Sequence, residues 1–279
     1  MFYLLLSILC SVAIAHIFKW VEQKSFPIFP IFAINYAMAT LVAWINGHPV
    51  YSSLTLGAGL LGIAVGILFI SSFIVFMIAV TKLGVTIPVS LMRLSAVLPT
   101  LGSILIFQEQ PDWQQITGLF LAFSILPLSQ HQAITRHTLQ TMIHEGLGWS
   151  LFLFIIFGVT DFSLKIQVEV FPIANASAFL TVVFATCFII AAVMCLLQRQ
   201  TIRIKYLGTG ALLGIFNLLS TLFFLKALGV LPGMLVYPFN GIGIILLSAL
   251  TSMMIWKERL VIRQWIFILL ASVALILIR

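Results

Sequence analysis

The sequence predicts an all-α integral membrane protein, with ten transmembrane helices arranged as two inverted five-helix repeats. Three observations lead there: an extreme apolar excess, polar breaks at near-regular intervals, and a likeness between the two halves of the chain. Of its 279 residues, 62% are hydrophobic and 8% charged, against roughly 45–50% and 25% in a soluble domain. Lipid rather than water suits most of such a surface.

A membrane-spanning helix needs about 20 mainly apolar residues. The chain divides into stretches of that kind at 2–21, 28–46, 56–80, 85–107, 113–129, 147–168, 173–197, 207–226, 233–256 and 261–278. The first has neither a basic leading segment nor a small-residue cleavage site, so it reads as a retained helix rather than a signal peptide. Lys24 and Phe26-Pro27 separate it from the second, and Lys82-Leu83-Gly84-Val85 separates the third from the fourth. Gln108-Glu109-Gln110-Pro111 closes the fourth, and the longest break, Gln130 to Glu145, follows the fifth. In the second half the breaks hold Phe171-Pro172, then Arg199 to Lys205, then Gly229-Val230 with Pro232, then Lys257-Glu258-Arg259-Leu260. Cys10, Cys187 and Cys195 all fall inside apolar stretches, where packing is the expected role rather than a disulfide or a metal.

The net charge of +7 raises the question of nucleic acid, but neither a basic face nor a binding motif accompanies it. The charge follows the loops instead. Lys24, Lys82, Arg136, Arg199, Arg203, Lys205, Lys257, Arg259 and Arg263 lie in or beside the breaks after the odd-numbered spans. The positive-inside rule then puts those loops in the cytoplasm and both termini outside.

The halves match at an offset of about 145–149 residues. Lys82-Leu83-Gly84-Val85 with Pro88 corresponds to Lys226-Ala227-Leu228-Gly229-Val230 with Pro232. Each is followed by an apolar helix, a Glu and a Gln: Glu109 and Gln115, then Glu258 and Gln264. Lys19 and Phe26-Pro27 correspond to Lys165 and Phe171-Pro172, and the pair Gly62/Gly66 to Gly210/Gly214. Residues 1–130 and 147–279 are therefore read as the repeats, with 131–146 connecting them. Five helices is an odd number, so the second half enters the membrane from the opposite side. Inverted repeats of this kind are the architecture of secondary transporters, with a solute site near the midplane.

Ten short-looped helices in two halves, each closing with a Glu before its last helix, resemble the drug/metabolite transporter superfamily and its EamA-type branch. The resemblance covers essentially the whole chain. It rests on Gln108-Glu109-Gln110-Pro111 and Lys257-Glu258-Arg259-Leu260, in which Gln108 and Lys257 replace the family's Gly before Glu. It implies a metabolite transporter, and it implies cytoplasmic termini, contrary to the charge bias.

Polar groups inside apolar spans cost roughly 2.5–3.5 kcal/mol per central charge on insertion scales, and they face a cavity or a partner. Arg93 lies about 12 Å of helix rise into the fourth span, deep enough for a solute-facing or gating role or for a structural ion pair. Asp161 and Lys165 are four residues apart and share a helix face. They either neutralise one another or, for Lys165 with its repeat mate Lys19, line a cavity. Lys19 is also near enough to its span's end to snorkel. His16 is read as a packing residue rather than a proton relay. Asn35 and Tyr36, Asn217, and Tyr237 and Asn240 supply neutral hydrogen-bonding groups, for interhelical bonds or for cavity lining. Within Tyr237-Pro238-Phe239-Asn240-Gly241, Pro238 frees a backbone carbonyl, which favours a site there.

Glu109 and Glu258 are read as stabilising the N-terminus of the helix that follows each, with Pro111 at the beginning of that helix. Gly62/Gly66 and Gly210/Gly214 are read as close-packing positions, and Trp44 and Trp256 as interface anchors. Counting Lys19, Arg93, Lys165 and Lys226 against Asp161 alone gives a cavity that leans positive and suits a carboxylate-bearing or zwitterionic solute.

The expected function is secondary active export or exchange of a small polar metabolite, an amino acid or organic anion, with multidrug or cationic efflux as the alternative. No nucleotide-binding loop is present, so a proton gradient or a counter-substrate supplies the energy. The expected partners are the solute and membrane lipid, with no cofactor and no nucleic acid, and one chain suffices because it carries both halves. An intramembrane enzyme would need a nucleophile paired with His or a His-Glu-x-x-His cluster, and a channel a filter-like segment. None occurs in the sequence. Short loops fit a bacterial inner membrane.

Overall fold

The computed structural model describes residues 1–47, 54–84, 86–129, 147–171, 175–257 and 260–278, and among them all regular structure is helical. The elements are α1 (Phe2–Gln23), α2 (Ile28–Gly47), α3 (Leu56–Leu83), α4 (Thr86–Leu94), α5 (Val97–Leu105), α6 (Trp113–Ile125) and a 3-10 turn (Leu126–Ser129). After these come α7 (Leu147–Val170), α8 (Ala176–Leu197), α9 (Ile204–Leu228), α10 (Gly233–Trp256) and α11 (Ile262–Ile278). Eight stretches are long and apolar enough to cross a bilayer: α1, α2, α3, the α4–α5 stretch, α7, α8, α9 and α10. This is the pattern of a multi-pass membrane protein. The fifth and tenth apolar stretches fold as shorter helices, of 13 and 17 residues. At 1.5 Å per residue they rise roughly 20 and 25 Å, less than the ~30 Å hydrocarbon core.

The fourth stretch, expected as one helix over 85–107, is two. Pro99 has no N–H for the Ser95 carbonyl four residues earlier, and its ring crowds that carbonyl. Ser95 O accepts instead from Leu98 N–H at 2.9 Å, while the Ser95 hydroxyl turns back to Met92 O at 2.7 Å. The helix breaks between Leu94 and Val97 as a result. Other ends obey local chemistry. Gly84, at φ +73, takes the left-handed position that stops α3. The Asn175 side chain accepts from Ser177 and Ala178 N–H and starts α8.

The chain forms two compact units, Met1–Ile70 with Ile166–Val230 and Ser71–Lys165 with Leu231–Arg279. Each combines segments from both sequence halves. In the first unit α2 packs along α8 and α9, and α1 along α9. The glycine pairs set two close approaches in this unit, α3 on α8 and α9 on α2, as the packing reading expects. A methyl on Gly62 would lie 3.1 Å from Val182, and one on Gly66 would lie 2.6 Å from Val183 O and 2.7 Å from Thr186. On the other side, a methyl on Gly210 would lie 2.7 Å from Ile34, and one on Gly214 would strike Asn35 O and Met38. Val182, Val183 and Thr186 follow Ile34, Asn35 and Met38 by the same offset, 148, that separates Gly62 from Gly210. Contacts made by α3 on α8 are thus repeated by α9 on α2. Tyr36 and Phe184, also 148 apart, stack with ring centroids 6.2 Å apart. The Cys187 thiol donates to Gly66 O at 3.2 Å, and Ser7 and Ser11 bond to Ser220 between α1 and α9.

In the second unit α6 packs on α11 and α5 on α10. The core holds Leu119, Ala122, Phe267, Ala271 and Ala274. Gly102 admits the Phe162 ring, and Gly158 admits Leu98, which brings α5 against α7.

Candidate functional site in the second unit

Four charged side chains of the second unit occupy its apolar interior, and two of them are in direct contact. Lys165 on α7 is 2% exposed and its Nζ lies 2.9 Å from Glu109 Oε1. Glu109 belongs to the connection between α5 and α6. Gln108 turns the chain there at φ +56, and Glu109 N–H donates to Ser103 O at 3.2 Å. The carboxylate then accepts Gly233 N–H at 2.7 Å and Met234 N–H at 2.8 Å. These amides open α10, whose own N-cap, Pro232, supplies no side-chain bond. A helix start with bare N–H groups and a positive dipole end favours a carboxylate, and Glu109 provides it from elsewhere in the chain. Gly233 allows the approach, since a methyl there would strike Ser103 Oγ and lie 3.2 Å from Lys165 Cε. The Phe107 ring centroid, 5.8 Å from Lys165 Nζ, closes the cluster on one side.

This corrects the sequence reading of Glu109 in its address, though not in its kind. Its carboxylate serves α10 and not the helix that follows it. That helix, α6, is capped by Asp112: Asp112 Oδ1 accepts Gln115 N–H at 2.7 Å, and Gln115 Oε1 accepts Asp112 N–H at 3.1 Å, a capping box. Pro111 therefore precedes the cap and does not begin the helix. Gln264 repeats the Gln115 role at α11, accepting Val261 N–H at 3.1 Å. Glu258 lies outside the described residues.

Lys165 pairs with Glu109 and not locally with Asp161. Asp161 is within electrostatic reach of Arg93. Arg93, half-buried on the last turn of α4, lines a cleft with Ala96, Phe123, Leu126, Tyr237 and Pro238. The cleft has room for about one water. The buried Tyr237 hydroxyl donates to the Asp161 backbone carbonyl at 3.0 Å, joining α10 to α7 at this level. Pro238 sits inside α10, where it cannot donate to Met234 O.

Of the residues singled out from sequence, the structure gathers Arg93, Asp161, Lys165 and Tyr237 in this unit, with Asn240 one turn beyond Tyr237 and half-buried. Asn35 and Asn217 belong to the first unit, where Asn217 Nδ2 donates to Asn35 Oδ1 at 3.4 Å, the interhelical bond expected of such residues. Lys19 and His16 are half-buried on α1 in that unit. Lys226 is exposed, 5.5 Å above the Tyr3 ring. With Glu109 counted, two cations face two carboxylates in the second unit, so this group of charges balances and does not lean positive. Ser103, fully buried with its Oγ unbonded, was not apparent from sequence, because only the fold brings α5 against the start of α10.

No protein-family profile matches the chain. An uncharacterized protein of Haemophilus influenzae is 27% identical over 287 residues, which cover 98% of this chain and 95% of that protein. A solved crystal structure matches over 99% of this chain and 94% of its own, with TM-score 0.79 and 12% identity. That likeness is one of fold.

Proposed function

We propose that the chain is a secondary active transporter of the EamA-type drug/metabolite transporter kind, with ten spans in two inverted five-helix repeats. It moves a small polar metabolite, an amino acid or organic anion, by alternating access. The observation that carries this reading is the reciprocal packing of the glycine pairs, in which Gly62/Gly66 meet α8 as Gly210/Gly214 meet α2. Reciprocal contacts of this kind are what two copies of one motif make about a two-fold axis, and an odd helix number makes that axis one of inversion. Arg93, Asp161 and Tyr237 are the proposed solute-facing groups, with Lys165 and Glu109 fixing α7 against α10. A proton or a counter-substrate drives the cycle, one chain suffices, and a bacterial inner membrane is the proposed location. The balance of charge in the second unit favours one further reading, efflux of a cation taken by Asp161.

Uptake and efflux in proteoliposomes test both readings. The solute pool holds labelled amino acids, organic anions and cationic dyes, with and without a pH gradient. Saturable flux of an acidic or zwitterionic solute, lost in Arg93→Ala, is the expected result. Dye flux unaffected by Arg93→Ala returns the protein to the cationic class, non-saturable flux indicates a channel, and a chemically altered product indicates an enzyme.

A further inference from the structure

One end of the first unit gathers cations. There α1 passes into α2 and α8 into α9, and the two connections meet: the Phe26 and Tyr206 rings lie 5.1 Å apart, with Lys205 Nζ 5.7 Å over the first and 5.3 Å over the second. Lys24, Arg199, Arg203 and Lys205 are all exposed at this end, and the carboxylate set against them is that of Glu22, on the last turn of α1. Among the described residues none of the four cations is in an ion pair. Helix termination does not account for Arg199. Gln200 N–H donates to Cys195 O at 2.9 Å and Arg199 N–H to Leu196 O at 3.1 Å, which closes α8 with Arg199 at φ +52. That backbone position favours glycine, so the arginine brings charge to a place where local geometry asks for no side chain.

The surface around these cations is apolar. Leu196, Leu197, Ile202 and Ile204 are exposed, Ile204 at 87%, and the exposed Trp20 ring lies 6.0 Å from that of Phe26. Aliphatic side chains, an indole and cations on one surface fit the level at which acyl chains give way to headgroups. Basic side chains at that level are drawn to anionic lipid, and a guanidinium fork matches the free oxygens of a phosphodiester.

We infer that this end of the first unit docks an anionic phospholipid, its phosphate on Arg199, Arg203 and Lys205 and its acyl chains along Leu196, Leu197 and Ile204. A zwitterionic headgroup brings its own ammonium to a patch already rich in cations, so a lipid of net negative charge is preferred. The inference needs the chain to be a multi-pass membrane protein and is independent of whether it moves a solute.

The test places the full-length protein in nanodiscs of an equal mixture of phosphatidylcholine and phosphatidylglycerol, extracts it in mild detergent and quantifies the retained lipid by mass spectrometry. Phosphatidylglycerol is expected to be enriched several-fold over phosphatidylcholine on the wild-type protein. In Arg199→Gly/Arg203→Gln/Lys205→Gln the ratio is expected to fall to that of the mixture, whereas Lys226→Gln, at the far end of α9, keeps the wild-type ratio. Monodisperse elution and an unchanged unfolding midpoint in phosphatidylcholine show that each variant is folded. Should the triple variant not fold, Arg199→Gly alone, which suits the left-handed backbone, carries the test and lowers the ratio part of the way. No enrichment on the wild type, or enrichment that survives neutralisation in folded protein, overturns the inference. Equal loss in Lys226→Gln does so too, because net charge alone would then explain the effect. Displacement of the lipid by inorganic phosphate overturns the lipid assignment in favour of a soluble anion.

Discussion

Removing the Glu109 carboxylate takes an ion-pair partner from the Lys165 ammonium and the acceptor from the amides of Gly233 and Met234. Breaking a buried pair by deleting one partner costs about 3–5 kcal/mol, whereas replacing both partners by apolar residues is far milder. Glu109→Ala is therefore expected to lower the unfolding midpoint in detergent sharply, and Glu109→Ala/Lys165→Met to recover part of the loss. Equal loss in the single and double variants would contradict a buried pair. Gly233 is the second test at this scale. Gly233→Ala places a methyl against Ser103 Oγ and beside Lys165 Cε, an overpacking that costs about 1–3 kcal/mol. Adding Ser103→Gly removes the nearest obstacle and should return most of the stability. Sequence alone offered Glu109 as a helix-terminus carboxylate but gave no means of choosing between two helix starts. The nearer one already had Asp112 with Gln115, a pattern readable at that spacing, so Glu109 was free to serve another.

Helix ends and breaks follow from short-range chemistry, and most were legible. The exception is the split of the fourth stretch, whose cause, Pro99, stands in plain view but does not shorten the apolar run that defines a span. Pro99→Ala restores an N–H to meet Ser95 O and should join α4 to α5. Hydrogen exchange across residues 95–100 is expected to slow in that variant, and exchange as fast as in the wild type would show that the break has another cause. The shortness of α6 was hidden for the opposite reason, whereas α11 matches its expected stretch of 261–278 to within one residue. Flanking residues such as Leu126-Pro127-Leu128 are apolar enough to extend a hydropathy window, but Pro127 ends regular α-helical bonding and the chain turns 3-10 over Leu126–Ser129.

At the scale of the molecule, two glycine pairs 148 residues apart make matching contacts. Gly66→Leu and Gly214→Leu are therefore expected to do comparable damage, each destabilising by about 1–3 kcal/mol or more, read as folded yield and unfolding midpoint side by side. Damage confined to one of them would deny the equivalence. Orientation is a separate question, because charge bias puts both termini outside while the family resemblance puts them in the cytoplasm. Labelling a cysteine placed at position 1 from outside intact cells, in a background without Cys10, Cys187 and Cys195, decides it. Labelling without permeabilisation is the outcome the charge bias expects.

Composition by itself determined that this chain lives in lipid, because so few charges cannot hydrate so many apolar residues. The spacing of its polar breaks marked out the apolar stretches in which its helices lie, and self-similarity determined that its glycine pairs are equivalents. These are local or pattern properties, carried by residues near one another or by their order. Tertiary structure alone decided which charges meet. Lys165 finds Glu109 56 positions away and α10 takes its cap from a different segment, because pairing across an apolar interior depends on which helices adjoin, and no sequence spacing encodes that.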